Sequence, residues 1–167
     1  MNSQPQSNPE SAPFQLSLRV RHPGMDPAEI SRAFAIEAEH SFRAGDARRS
    51  SSGVASSSVH VESYWLGELK PRGPLVDVSF PGDDRSKFAQ KQLAAARRSL
   101  SWALSLSTSQ FLAQHAELLR RIRAEGGEVS LLVSIFRDDV NSFTLAPEAS
   151  RLFGELGITV EFELSSA

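Results

Sequence analysis

The chain has 167 residues, 40% hydrophobic and 23% charged, with 18 Lys and Arg against 20 Asp and Glu for a formal charge of -2. That length suits one domain around a single core, and the slightly acidic balance disfavours nucleic acid and anionic membrane surfaces, which select a basic excess. With no cysteine, disulfides, thiolate nucleophiles and cysteine-bound metals are excluded.

In chain order, residues 1–13 are mostly Gln, Ser, Asn and Pro, with neither a basic start nor an apolar run. They read as a disordered tail, not as a signal peptide or membrane segment, and a cytoplasmic location is expected. From Phe14 the rest, 14–167, reads as a single domain. Phe14, Leu16, Leu18 and Val20 alternate with Gln15, Ser17, Arg19 and Arg21, the period of a strand with one buried face. His22-Pro23-Gly24 breaks it. Asp26 then stands at a helix N-cap, with Pro27 first in the helix, Glu29 completing a capping box, and Met25 and Ile30 placed to staple the start. Ile30, Ala33 and Phe34 share the face that should lie on the sheet.

His40 to Arg43 reads as a short strand, Ala44-Gly45-Asp46 as a turn, and Ser50 to Ser58 as a surface loop. Val59 to Leu66 is expected as one strand, with Val59, Val61, Ser63 and Trp65 on its core face and His60, Glu62 and Tyr64 outward. Leu75 to Phe80 is an edge-strand candidate. From Asp84 to Glu125 the periodicity is helical, with a break near Ser105 to Ser109 where a serine could cap a restart. The stripes are Ala89, Leu93, Ala96, Leu100, Ala103 and Leu104, then Phe111, Leu112, His115, Leu118, Leu119 and Ile122. Gly126-Gly127 closes the second half. Val129 to Phe136 is the strongest strand and is expected at the centre of the sheet. Pro147 opens a helix that Gly157 stops, and Ile158 to Leu164 is the last strand.

The run Asp26-Pro27-x-x-Ile30, then Ile36-Glu37, Ser41-Phe42-Arg43-x-Gly45-Asp46 and Ser63-Tyr64-Trp65, resembles the bacterial domain-of-unknown-function family numbered 4279 over roughly residues 14–164. The family has no established activity, so the resemblance implies a fold and candidate positions but no reaction. A second pattern lies within the chain: Pro27 to Phe34 and Pro147 to Phe153 are similar helix starts in two strand-helix-strand units. Together these lead to an α+β fold, a ferredoxin-like split βαβ sandwich whose antiparallel sheet carries helices on one face and an elaborated helical middle.

For chemistry the sequence is quiet. His115 lies in an apolar helical stripe, where burial could make a base; a core histidine with one hydrogen-bond partner is the plainer reading. His22, His40 and His60 lack ligand spacing, and neither metal nor cofactor is expected. The doublets Asp83-Asp84 and Asp138-Asp139 read as loop or capping acids, and no serine stands in a nucleophile elbow. Lys87, Lys91 and Arg98 beside Trp102 read as a solvated helix flank. Arg19, Arg21, Arg43, Asp46, Glu62, Tyr64 and Trp65 form the candidate binding cluster, since Arg and aromatic side chains anchor recognition surfaces. Against it stands a structural reading, with Trp65 in the core and Arg43 to Asp46 a turn holding an ion pair. The expectation is a non-catalytic recognition module, immunity or antitoxin-like in its most concrete form, binding a protein partner or a small anionic ligand. The alternative is a small hydrolase using a His/carboxylate pair, His60 or His22 with a nearby acid.

Overall fold

Alternation builds the sheet. In a computed structural model that describes residues 13–49, 55–70, 99–136 and 142–164, strand β1 (Phe14–His22) buries Leu16, Leu18 and Val20 on one face and holds Gln15, Arg19 and Arg21 half-buried on the other. Strands β2 (His40–Phe42), β5 (Ser63–Glu68), β6 (Glu128–Ile135) and β7 (Thr159–Leu164) join it in the order β2-β5-β1-β6-β7. β1 is antiparallel to both β5 and β6, β2 is antiparallel to β5, and β7 alone runs parallel to its neighbour β6. It follows that β1 and β2 run parallel with β5 between them, and β5 and β6 run parallel with β1 between them. A separate ribbon pairs β3 (Ala47–Arg49) with β4 (Ala55–Val59). The class is α+β with a mostly antiparallel sheet, as expected, but its centre is β1 and not β6. The buried Leu132 makes β6 read as apolar on both sides, whereas Ser130 and Ser134 share the polar face with it.

Helix α1 (Pro27–Phe34) starts as its sequence requires. The carboxylate of Asp26 accepts from the amide of Ala28 at 2.9 Å, Pro27 occupies the first helical position, and Ala35 ends the helix in the left-handed region at φ 53. Glu29 does not reach back to complete a capping box; it accepts from Arg121 at 2.7 Å. Ile30 and Phe34 are buried with Met25, whereas Ala33, expected beside them, is exposed because the sheet covers only a narrow stripe of so short a helix.

The helical middle runs through α2 (Leu100–Leu106), a π-helical stretch at Ser107–Leu112, and α3 (Ala116–Ala124). The expected break is present, but as a widening into π geometry and not as a restart capped by serine; His115 precedes α3 without a side-chain cap. Leu100, Ala103, Leu104, Leu112, Leu119 and Ile122 are buried, and Phe111, His115 and Leu118 are half-buried. Gly126 closes α3 at φ 85, and Gly157 closes α4 (Pro147–Leu156) at φ 64. These helices join one core with Leu16, Leu18, Val20, Trp65, Leu131 and Val133, so they cover one face of the sheet. Each fully buried Leu or Ile there contributes about 1.5–3 kcal/mol.

Two strand expectations fail locally. Ala55 to Ser58, read as loop, belongs to β4, and Val59 to Leu66 is not one strand. The amide of Gly45 donates to the carbonyl of His60 at 2.8 Å, and the amide of His60 donates to that of Asp46 at 2.9 Å, which ends the ribbon and turns the chain at 61–62. Val59 and Val61 are therefore 49% and 82% exposed, and only Ser63 and Trp65 of the expected face are buried. At the start, Pro13, read as part of the tail, is buried and accepts from the amide of Phe136 at 2.9 Å, so it belongs to the fold. Residues 1–12, the strand expected at Leu75 to Phe80, both Asp doublets, and Ala89, Leu93, Ala96, Lys87, Lys91 and Arg98 lie outside the described residues.

Candidate functional site

The sheet face opposite the helices is polar, and register decides what meets there. Arg19 stands between Leu66 and Ser130, and Arg21 between Tyr64 and Glu128. The guanidinium of Arg19 donates to the Ser130 hydroxyl at 3.2 Å and pairs with the carboxylate of Glu161 on β7. Arg21 Nε lies 3.9 Å from Glu62 Oε1, both side chains a little under half exposed, so solvent screens that pair. Four residues of the expected cluster, Arg19, Arg21, Glu62 and Tyr64, thus do lie on or beside one surface.

A row of rings adjoins them at the β2 edge. Phe42 stands opposite Tyr64 and stacks on it at 5.1 Å, with planes 14° apart; on its other side His60 stacks at 3.6 Å. His40 meets both Phe42 and Tyr64 edge-on, at 5.8 and 5.7 Å. Phe42, His60 and Tyr64 are half-buried and His40 is exposed. The sequence reading missed Phe42, His40 and His60 as members of a binding cluster. The signal for the first two was the spacing His40-x-Phe42, which alternation places on one face, but nothing in the sequence sets that face against Tyr64.

The other cluster members are engaged in the fold. Arg43 sends its guanidinium to the Asp26 carboxylate, with Nε 3.0 Å from Oδ1, while its amide donates to Asp46 Oδ2 at 3.0 Å. With Gly45 at φ 87 and the amide of Ala44 donating to Ser63 Oγ at 3.0 Å, residues 43–46 form a turn that braces the α1 cap. Trp65 is fully buried, packs 5.5 Å from the Phe34 ring and donates from Nε1 to Ser31 Oγ at 2.8 Å. As a contact residue it is corrected; alternation had already placed it on the core side.

Two histidines remain. His22 is buried, and its Nδ1 accepts from the amides of Gly24 and Met25 at 3.1 and 2.8 Å, which puts its proton on Nε2. Nε2 lies 3.3 Å from Glu125 Oε2 without hydrogen-bond geometry. The structural job of His22 is therefore local: its Nδ1 holds the turn that follows β1, and its approach to Glu125 is not a hydrogen bond. His115 stands beside Phe111 and Phe34, at 4.6 and 5.2 Å between rings, and burial lowers its pKa from the ordinary value of 6.5.

Among the described residues no group of three or more His, Asp or Glu could hold a metal ion. Nor is any described helix long and apolar enough to cross a membrane. Comparison of the chain with protein-family models, with curated proteins and with solved structures finds no match.

Proposed function

We propose that this chain is a non-catalytic recognition module that holds a protein partner against the polar face of its sheet, with an immunity or antitoxin-like role as the concrete version. The observation that carries the reading is the ring row His60, Phe42, Tyr64 and His40 beside the Arg21/Glu62 pair. Stacked rings present amphipathic area with little rotamer freedom left to lose, the property that makes aromatic and Arg side chains anchors at interfaces. A small anionic ligand is the weaker version, because Arg19 and Arg43 are taken by Glu161 and Asp26. Nucleic acid is disfavoured, since among the described residues Glu68, Glu128, Glu161 and Glu163 share the face with two arginines, Arg19 and Arg21.

The proposed fold supports this reading. We propose the ferredoxin-like split βαβ plan with β7 added at one edge, a reading supported by two parallel strand pairs that each have a strand inserted between them. The motifs that resemble the domain-of-unknown-function family fall on the α1 cap, the 43–46 turn and β5, the elements that frame the ring row. The hydrolase reading has less support, because His22 Nδ1 is already taken by the amides of Gly24 and Met25 and its Nε2 makes no hydrogen bond to Glu125.

The test is co-purification of the full chain from its native host, followed by Tyr64→Ala and Arg21→Ala baits. A stoichiometric protein, retained by the wild type and weakened roughly tenfold or more by Tyr64→Ala, is the expected result. A partner held equally by both variants sinks the site, and turnover of a hydrolase substrate lost in His60→Ala sinks the class.

A further inference from the structure

Away from the ring row, the end of α1, the connection 35–39 that follows it, the end of β5 and the helical middle from Gln110 to His115 line a cleft of about 770 Å³, a size typical of small-molecule sites. Its floor is apolar, formed by Phe34, Ile36, Leu69 and Phe111. The Phe34 and Phe111 rings meet at 5.3 Å, and His115 lies against both. The wall that carries Phe111 is the π-helical segment itself, and such insertions into α-helices are rare and concentrate at functional sites.

The rim has the opposite character. Glu37, Glu39 and Glu68 line it, with Lys70 as the single ammonium. Glu39 accepts from Gln15 at 3.2 Å, and Glu68 faces Lys70 at 3.3 Å across an exposed pair. Glu37 has no hydrogen bond or ion pair with another described residue. A concave, low-dielectric wall concentrates the field of such carboxylates into the cleft. His115, held neutral near pH 7 by burial, adds no opposing charge and leaves a ring nitrogen able to accept.

We propose that this cleft binds a small arylalkyl ammonium ion, its hydrocarbon lying on Phe111 and Ile36 and its ammonium group at the rim beside Glu37. Each half of the lining selects one half of that ligand. The aromatic floor takes up the apolar body, while the carboxylate rim attracts the cation and rejects an anion of the same shape.

Isothermal titration of the full chain with 2-phenylethylamine, and in parallel with phenylacetate, tests this directly. The amine should bind one to one and at least about tenfold tighter than the acid, with the difference shrinking as salt is raised. Glu37→Gln, at an exposed position where folding is not at stake, should weaken the amine roughly fivefold or more and leave phenylacetate no weaker. Phe111→Leu should weaken the amine while thermal melting confirms that the variant is folded. Equal binding of amine and acid, no heat from the amine through the millimolar range, or an unaltered Glu37→Gln variant each overturns the proposal. Because Tyr64 and Arg21 lie outside the cleft lining, Tyr64→Ala should bind the amine normally, so failure here is distinct from failure of the recognition surface.

Discussion

The indole of Trp65, wholly buried on β5, donates to the hydroxyl of Ser31 on α1 at 2.8 Å and so joins the sheet to its first helix through one polar contact inside apolar packing. Trp65→Ala should destabilise the fold by about 3–5 kcal/mol, from lost burial and the cavity left behind. Ser31→Ala, which strands the indole N–H, should cost about 1–3 kcal/mol. Urea melts of both variants measure this; a wild-type melt for Trp65→Ala would place the indole outside the core.

Gly67 lies on the same face as Trp65, and the ring leans over it. A Cβ at Gly67 would come within 2.5 Å of Trp65 Cη2 and 2.9 Å of Ile36 Cγ2. Gly67→Ala should therefore destabilise by about 1–3 kcal/mol through overpacking, although alanine suits a strand better than glycine does. A variant as stable as the parent would mean that the indole has room to move aside.

Asp26 serves two partners, the Ala28 amide and the Arg43 guanidinium. Asp26→Ala should cost about 1–2 kcal/mol and Arg43→Ala under about 1 kcal/mol, since the exposed ion pair contributes far less than the cap. In a double-mutant cycle, Arg43→Ala should have almost no effect in the Asp26→Ala background. An Arg43 contribution that survives there would reveal a second partner.

His115 makes stability depend on pH. Its pKa in the fold is lowered by burial, so below about 6.5 the unfolded chain takes up the proton more readily than the folded one. The contribution is fully present above pH 6.5, is lost as pH falls toward the folded-state pKa, and is constant below it. Urea midpoints between pH 8 and pH 5 should fall less steeply in His115→Gln than in wild type; equal slopes would show that the imidazole is solvated.

Local chemistry was the legible part of the sequence. The Asp26 cap, Pro27, Pro147, Gly126, Gly157 and the alternation of β1 each depend on a few neighbouring residues, and each lies where its pattern placed it. Non-local pairing was not legible. Val59 and Val61 alternate like a strand, yet the backbone bonds between His60 and the turn at Gly45 and Asp46 outweigh that pattern. Likewise the sequence offers Arg43 either as a recognition arginine or as part of a turn with an ion pair, and only the folding back of α1 supplies Asp26 as the partner; Phe42 gains meaning only when register sets it on Tyr64. The cleft at His115 could not be read from periodicity, because it forms where the end of α1, the connection after it, the end of β5 and the helical middle come together.

The placement of β1 at the centre of the sheet has a consequence for how the protein is made. Arg19 and its contact Ser130 are 111 residues apart, and β1 needs β6 along nearly its whole length to complete its pairing. During synthesis, the apolar row Leu16, Leu18 and Val20 leaves the ribosome on the order of ten seconds before the strand that will close over its flank. β5 emerges sooner and can offer a partial hairpin-like shelter, but it leaves one edge of β1 unpaired. Of the described strands, β1 is thus made first and left waiting longest, and nascent chains stalled before residue 128 should recruit chaperones that the finished protein does not need.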